Sequence, residues 1–157
     1  MSRLLGVDLG ERRIGLALAD GDGSAARPLM TIRRAASVDA DAAALLAVIG
    51  SHAVDELVVG LPLEASGSEG AQSTRTRRWA SAMAERLGRP VSFRDERLTS
   101  HVAENRLGPG KRGRSGGPPS KTQRDAYRAR VDREAAAIIL QDELDARARI
   151  GNREAGR

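Results

Sequence analysis

The chain contains no cysteine, and only three of its 157 residues, Trp79, Phe93 and Tyr127, are aromatic. The lack of cysteine excludes disulfides, cysteine-ligated zinc and thiol catalysis. Because no apolar run resembles a signal peptide or reaches membrane-spanning length, we expect a cytoplasmic protein. The core must be built from Leu, Ile, Val and Ala, which suits helices packed closely on a sheet.

The length of the chain indicates how many domains it forms, and its net charge indicates what kind of partner it binds. A chain of 157 residues has the size of one domain, and we expect that domain to span residues 1–147, followed by a polar tail at 148–157. The formal net charge of +5 favours an anionic partner. Nucleic acid is the commonest such partner for a soluble protein, and no membrane partner is expected.

Hydrophobic periodicity predicts an α/β fold. Residues 3–9, 14–19 and about 28–32 read as an antiparallel meander of strands, after which helices alternate with two further strands. The predicted helices cover 38–50, a segment ending at Gly88, 99–107 and 128–146, and the later strands cover 56–62 and 90–94. This order predicts a ribonuclease H-like fold, a mixed five-stranded sheet flanked by helices.

One segment interrupts the regular pattern. The 17 residues from Gly108 to Arg124 contain eight glycines and prolines, five basic residues and no acid. So many helix and strand breakers predict a flexible basic loop over 108–124. Such a loop either contacts a phosphate backbone or remains a solvated linker.

Acidic residues stand at three places where chemistry is expected. Asp8 interrupts an apolar strand, Asp95 and Glu96 follow the fifth strand, and Asp132 lies in the last helix. A carboxylate in a buried strand is costly unless a metal ion, an arginine or hydrogen-bond donors pair with it. Because Mg²⁺ and Mn²⁺ prefer carboxylate oxygens, an acid cluster is the catalytic device that this chain can supply most readily.

Four motifs follow one another along the chain: GVDLGERRIG at 6–15, VVGLPL at 58–63, DERLT at 95–99 and VDREAAAIIL at 131–140. Taken together and in this order, they resemble the motifs of the YqgF/RuvX family of Holliday junction resolvase-like proteins. The resemblance implies a ribonuclease H-like fold and a metal-dependent nuclease that matures the 5′ end of pre-16S rRNA. It also implies that the acidic site, holding Mg²⁺ or Mn²⁺, falls on Asp8, Glu96 and Asp132.

The sequence departs from the related RuvC resolvases at the fourth strand. Those proteins carry an essential glutamate at its end, where this chain has Gly60, Leu61 and Pro62. The acid has therefore moved to the fifth strand, and either Asp95 or Glu64 is an alternative to Glu96 as the third member of the site.

Basic residues near these acids are candidates for contact with nucleic acid. Arginine binds phosphate through two parallel hydrogen bonds, but an exposed arginine is also commonly only solvated. The candidates for phosphate contact are Arg12, Arg13, Arg97, Lys111, Arg112, Arg114 and Lys121.

The leading hypothesis is a metal-dependent endonuclease that acts on structured precursor rRNA. One alternative is a Holliday junction resolvase, which needs two active sites and hence a homodimer, whereas a monomer suffices to trim RNA. Another is a non-catalytic RNA- or ribosome-binding factor that keeps the fold and uses its acids structurally. Residues 6–10 also resemble the first phosphate loop of actin-like ATPases, but those enclose nucleotide between two domains.

Overall fold

The computed structural model describes residues 2–97, 99–113 and 115–157. Within them, strands and helices follow one another in the predicted order. The strands are β1 (Leu4–Leu9), β2 (Arg13–Ala19), β3 (Arg27–Arg33), β4 (Glu56–Leu61) and β5 (Val91–Asp95). The helices are α1 (Val38–His52), α2 (Ala71–Leu87), α3 (Thr99–Leu107) and α4 (Lys121–Ala155). None of these helices is both long and apolar enough to cross a membrane.

The strands form one mixed sheet in the order β3-β2-β1-β4-β5. Strand β2 pairs antiparallel with β1 and β3, whereas β1, β4 and β5 run parallel to one another. The predicted fold class is therefore confirmed. The carboxyl ends of the three parallel strands lie along one edge of the sheet, the place where ligand sites of such sheets collect.

The two faces of the sheet carry side chains of different size. Large side chains such as Leu5, Val7 and Leu57 point to the face covered by α1 and α2, where they pack with Trp79 and Met83. The opposite face is covered by α4 and carries, besides Leu4 and Val58, mostly small residues. Its small positions are Gly6, Gly15, Ala17, Ala19 and Gly60.

Small residues let α4 lie directly on the strands. A Cβ atom at Gly6 would stand 2.7 Å from the carbonyl oxygen of Ala136 and 2.8 Å from the Cβ of Leu140. Because real Cβ atoms do not approach that closely, glycine at this position permits the contact between helix and sheet. The many alanines and glycines of the chain therefore set how deeply α4 sits.

Helix α4 is longer than predicted at both ends. It begins at Lys121 because Ser120 and Gln123 form a capping box, in which Ser120 Oγ accepts from the Gln123 amide at 3.1 Å and Gln123 Oε1 accepts from the Ser120 amide at 2.8 Å. The predicted loop thus ends at 120 rather than 124. The segment predicted as a polar tail from 148 is helical to Ala155, since its arginines, alanines and glutamate favour helix.

Candidate active site

Three acidic side chains meet at the carboxyl edge of the sheet. Asp8 lies near the end of β1 and follows Leu4 and Gly6 at a spacing of two, so its side chain points to the face that α4 covers. Glu96 follows β5, and its amide donates to the carbonyl of Leu61 at 3.2 Å. With Asp132 of α4 they line one cavity of about 350 Å³.

Asp8 and Glu96 lie within hydrogen-bonding reach of each other. Burial, followed by the negative charge of Asp8, raises the pKa of Glu96 to about 9. Burial also raises the pKa of Asp8, to about 6, although the hydrogen bond with Glu96 lowers it. Burial and the repulsion between the two carboxyl groups therefore favour a proton shared by the pair.

Asp132 lines the same cavity but is engaged by an arginine. Arg13 Nε donates to Asp132 Oδ2 at 2.8 Å, and the side chains are 26% and 21% exposed. Among the described residues, no three acidic or histidine side chains are grouped closely enough to enclose a metal ion as they stand. The carboxylate that would complete such a group with Asp8 and Glu96 is the one paired with Arg13.

The two alternatives to Glu96 lie elsewhere. Asp95 accepts hydrogen bonds from the amide and from Nε of Arg97, at 2.9 and 2.8 Å, and faces solvent. This pairing with Arg97 lowers the pKa of Asp95. Glu64 is exposed in the loop after β4 and does not line the cavity. Of the three acids considered at this position, the structure brings Glu96 to Asp8.

Gly60 makes room for the Glu96 side chain. A Cβ atom at position 60 would stand 2.6 Å from Glu96 Oε2 and 2.5 Å from Ile139 Cδ1. The absence of a side chain near the end of β4 therefore lets the carboxyl group from the neighbouring strand occupy the space above β4. Gly60 thereby lets an acid that follows β5 reach the end of β4.

Three polar residues that the sequence analysis missed also line the cavity. Gln72 comes from the first turn of α2, and Thr99 and Ser100 come from the first turn of α3. Helices that follow parallel strands begin at the carboxyl edge of the sheet, so the predicted starts of these helices were the available signal.

The predicted basic contacts are distributed over three places. Arg97 lines the acidic cavity. Arg12, Arg13 and Lys121 line a neighbouring groove of about 550 Å³ between the β1–β2 turn, β3 and the start of α4. Lys111 and Arg112 line a third cavity, of about 600 Å³. Arg114 lies outside the described residues.

The basic loop is folded back against α4. Tyr127 donates from its hydroxyl to the carbonyl of Gly108 at 2.8 Å, and Gln123 Nε2 donates to the carbonyl of Arg112 at 2.9 Å. These bonds fix both the start of the loop and its middle to the first turns of the helix. Lys111 and Arg112 are exposed.

The comparisons with known proteins agree on one protein family. The family model of RuvX, described as a Holliday junction resolvase, matches residues 2–146. A protein of Anaeromyxobacter sp. (strain Fw109-5) with the name "putative pre-16S rRNA nuclease" is 45% identical over 145 residues, which are 92% of this chain and 98% of its own. A protein of the same name from Picosynechococcus sp. is 41% identical over 91% of this chain and 92% of its own.

Solved structures show the likeness of fold. The RuvC protein of T. thermophilus in complex with a Holliday junction substrate superposes with a TM-score of 0.53. The match covers 94% of this chain and 96% of that one at 16% identity. A structure of Thermus thermophilus RuvC gives a TM-score of 0.50 at 20% identity, over 93% and 96% of the two chains. At these identities the likeness concerns the fold.

Proposed function

This chain belongs to the RuvX family, and we propose from that premise that it is a metal-dependent endonuclease that matures the 5′ end of pre-16S rRNA. Its relatives are named as nucleases and its fold is that of a nuclease. The proposal assigns catalysis to Asp8, Glu96 and Asp132, and places the reaction in the cytoplasm. The observation that carries it is the convergence of these three carboxyl groups on one open cavity.

The acids fit a divalent cation. Asp8 and Glu96 are close enough to share a proton, both have raised pKa values, and neither forms a salt bridge with any described residue. Such a pair presents hard oxygen ligands and excess negative charge, which is the donor set that Mg²⁺ and Mn²⁺ prefer. Asp8, Glu96 and Asp132 would hold the ion during the reaction.

When bound there, a divalent ion lowers the pKa of water and stabilises charge on a phosphodiester. The residues of the chain supply the rest. Glu96 must give up the proton that it shares with Asp8, so the raised pKa of Glu96 makes the apo site resist loading at low pH. Arg97 stands at the mouth of the cavity with its guanidinium held by Asp95, positioned for a phosphate of the bound strand.

Two other functions make different predictions for this site. A Holliday junction resolvase cuts two strands symmetrically and requires a dimer, so native mass separates it from an RNA-trimming monomer. A non-catalytic RNA- or ribosome-binding factor would bind RNA equally well with or without metal and with or without Asp8. The acidic cavity favours the catalytic proposal, because a binding factor gains nothing from repelling a phosphate there.

The decisive experiment compares two substrates under three metal conditions. End-labelled pre-16S rRNA leader and a four-way DNA junction are incubated with wild type and Asp8→Asn in Mn²⁺, Mg²⁺ or EDTA. We expect metal-dependent cutting of the RNA leader by wild type only. Cutting confined to the junction would establish the resolvase instead. Binding without cutting, or cutting by Asp8→Asn at the wild-type rate, would refute the proposed site.

A further inference from the structure

The salt bridge between Arg13 and Asp132 stands on the wall between two cavities. Asp132 lines the acidic cavity, whereas Arg13 lines the neighbouring groove. Both side chains are about three-quarters buried, and Arg13 Nε is 2.8 Å from Asp132 Oδ2. The positive charge of the guanidinium offsets the negative charge of a carboxylate paired in this way. Such a carboxylate therefore attracts a cation less strongly than an unpaired one does.

The groove on the Arg13 side is built for phosphate. Among the residues that the structure describes, five cationic side chains and two acidic ones line it, and the cationic ones are Arg12, Arg13, Arg33, Arg34 and Lys121. Arg12, Arg33 and Lys121 are exposed and form no salt bridge with any other described residue. Their charge is therefore available to an anionic polymer, and the concave groove concentrates it.

The backbone of Asp132 is fixed by its contact with β2. The carbonyl of Asp132 lies so close to Gly15 that a Cβ atom at position 15 would overlap it. Helix α4 is thereby held against β2 at this turn. If Arg13 released the carboxylate, Asp132 would remain on the wall of the acidic cavity, facing the pair formed by Asp8 and Glu96.

We propose that Arg13 is a positioning residue that keeps Asp132 from the metal until phosphate groups in the basic groove take over the guanidinium. The inference rests on the proposed metal-dependent nuclease. In the free protein, Asp8 and Glu96 hold the ion with two carboxylates. When nucleic acid lies in the groove, one of its phosphates replaces Asp132 as the partner of the Arg13 guanidinium. The released Asp132 carboxylate would then be the third ligand of the ion. Metal binding and substrate binding therefore strengthen each other.

The test measures metal affinity in the free protein. Mn²⁺ is titrated into wild type, Arg13→Gln and Arg12→Gln in 0.15 M salt, roughly the physiological ionic strength, and unbound Mn²⁺ is followed by electron paramagnetic resonance. We expect Arg13→Gln to raise the Mn²⁺ affinity on the order of tenfold, because Asp132 becomes available. Arg12→Gln removes the same charge from the groove without touching Asp132 and should change the affinity by less than about twofold.

A double-mutant cycle separates a released ligand from a general change of charge. Asp132→Asn in the Arg13→Gln background should abolish the gain, whereas Asp132→Asn alone should leave the wild-type affinity nearly unchanged. An unchanged or weaker affinity in Arg13→Gln would overturn the inference, as would a gain that survives Asp132→Asn. If Arg13→Gln does not fold, Asp132→Asn alone decides, since a loss as large as that of Asp8→Asn would overturn it.

The outcomes also distinguish this inference from the function on which it rests. Metal-dependent cleavage by wild type, together with an unaltered Mn²⁺ affinity in Arg13→Gln, would overturn only the role of Arg13. Absence of Mn²⁺ binding and of cleavage in every variant would overturn both. Tighter Mn²⁺ binding in Arg13→Gln that depends on Asp132 would support the inference whichever nucleic acid is cut.

Discussion

Gly15 of β2 lies directly under the carbonyl oxygen of Asp132 in α4, with no space for a Cβ atom between them. Gly15 is also the register partner of Asp8 across the β1–β2 ladder. Because position 15 is a glycine, α4, which carries Asp132, can lie directly against the β1–β2 pair, which carries Asp8. The distance between Asp8 and Asp132 depends on this absence of a side chain.

Gly15→Ala should destabilise the protein and reduce any nuclease activity together. The added methyl group would overlap backbone atoms, which cannot rotate away, so α4 must shift, at a cost on the order of 1–3 kcal/mol. Urea unfolding followed by the fluorescence of Trp79, the single tryptophan, measures the change. Gly50→Ala is the matched control, because open space surrounds that helical glycine and alanine favours the helix. Equal stability of Gly15→Ala and Gly50→Ala would contradict this account.

The raised pKa of Glu96 predicts an unusual pH dependence of stability without metal. Its ordinary pKa is 4.5 and the folded value is about 9, so between these values the folded state binds more protons than the unfolded one. Stability must therefore fall as pH rises through that window. Glu96→Gln cannot lose a proton and should become more stable than wild type at the alkaline end, by on the order of 1–2 kcal/mol.

Thermal unfolding in EDTA at pH 5 and pH 9 checks this prediction. Wild type and Glu96→Gln should unfold at similar temperatures at pH 5 and diverge at pH 9. Asp95→Asn is the control. Because the pKa of Asp95 is lowered, its contribution to stability is lost only as pH falls below the ordinary carboxyl range, so the difference between wild type and Asp95→Asn should not change between pH 5 and pH 9. A stability difference for Glu96→Gln that did not vary with pH would show that the shared proton is absent.

Much of the fold was predictable because its signals are local. Alternating apolar residues mark β1 and β2. Ser37, a residue type that favours helix starts, caps α1 by accepting from the Ala40 amide at 3.1 Å, and Gly88 ends α2 in the left-handed conformation that glycine tolerates. The start of α4 was missed because residues 121–127 are mostly polar and show no apolar stripe. The spacing of Ser120 and Gln123 was the remaining signal, and it lay inside a segment dominated by glycine and proline.

The site was predictable in part for a different reason. Parallel strands bring their carboxyl ends to one edge, so the meeting of Asp8 and Glu96 follows from the predicted topology. The pairing of Arg13 with Asp132 does not follow, because 119 residues separate them and nothing local indicates which neighbour the carboxylate chooses. Arg33 was missed likewise, because its place in the groove, opposite Arg13, depends on the register of β2 with β3.

Asp41 should matter for stability far more than its exposed neighbour on α1. It is 2% exposed, and its carboxylate accepts from the amide of Ala35 at 2.8 Å and from Trp79 Nε1 at 3.2 Å. Asp41→Ala leaves these buried donors unpaired and should cost on the order of 3 kcal/mol in urea unfolding. Asp39→Ala, which breaks the pair of an 81% exposed carboxylate with Arg86, should cost less than about 1 kcal/mol. Similar losses in the two variants would refute the role of the buried network.

The basic groove should set how strongly salt weakens nucleic-acid binding. Each phosphate neutralised by a lysine or arginine releases counterions, so removing one contact reduces the slope of log K against log salt by about one. Fluorescence anisotropy in EDTA with an RNA hairpin, using Asp8→Asn to prevent cutting, gives this slope.

Adding Arg12→Gln or Lys121→Gln to Asp8→Asn should weaken binding and reduce the slope, because both side chains line the groove and both are exposed. Arg153→Gln, an exposed arginine in the last turn of α4, removes the same charge at the far end of that helix and should leave the slope unaltered. Equal slopes for Arg12→Gln, Lys121→Gln and Arg153→Gln would place the bound strand elsewhere, and the basic loop against Tyr127 would then be the surface to change next.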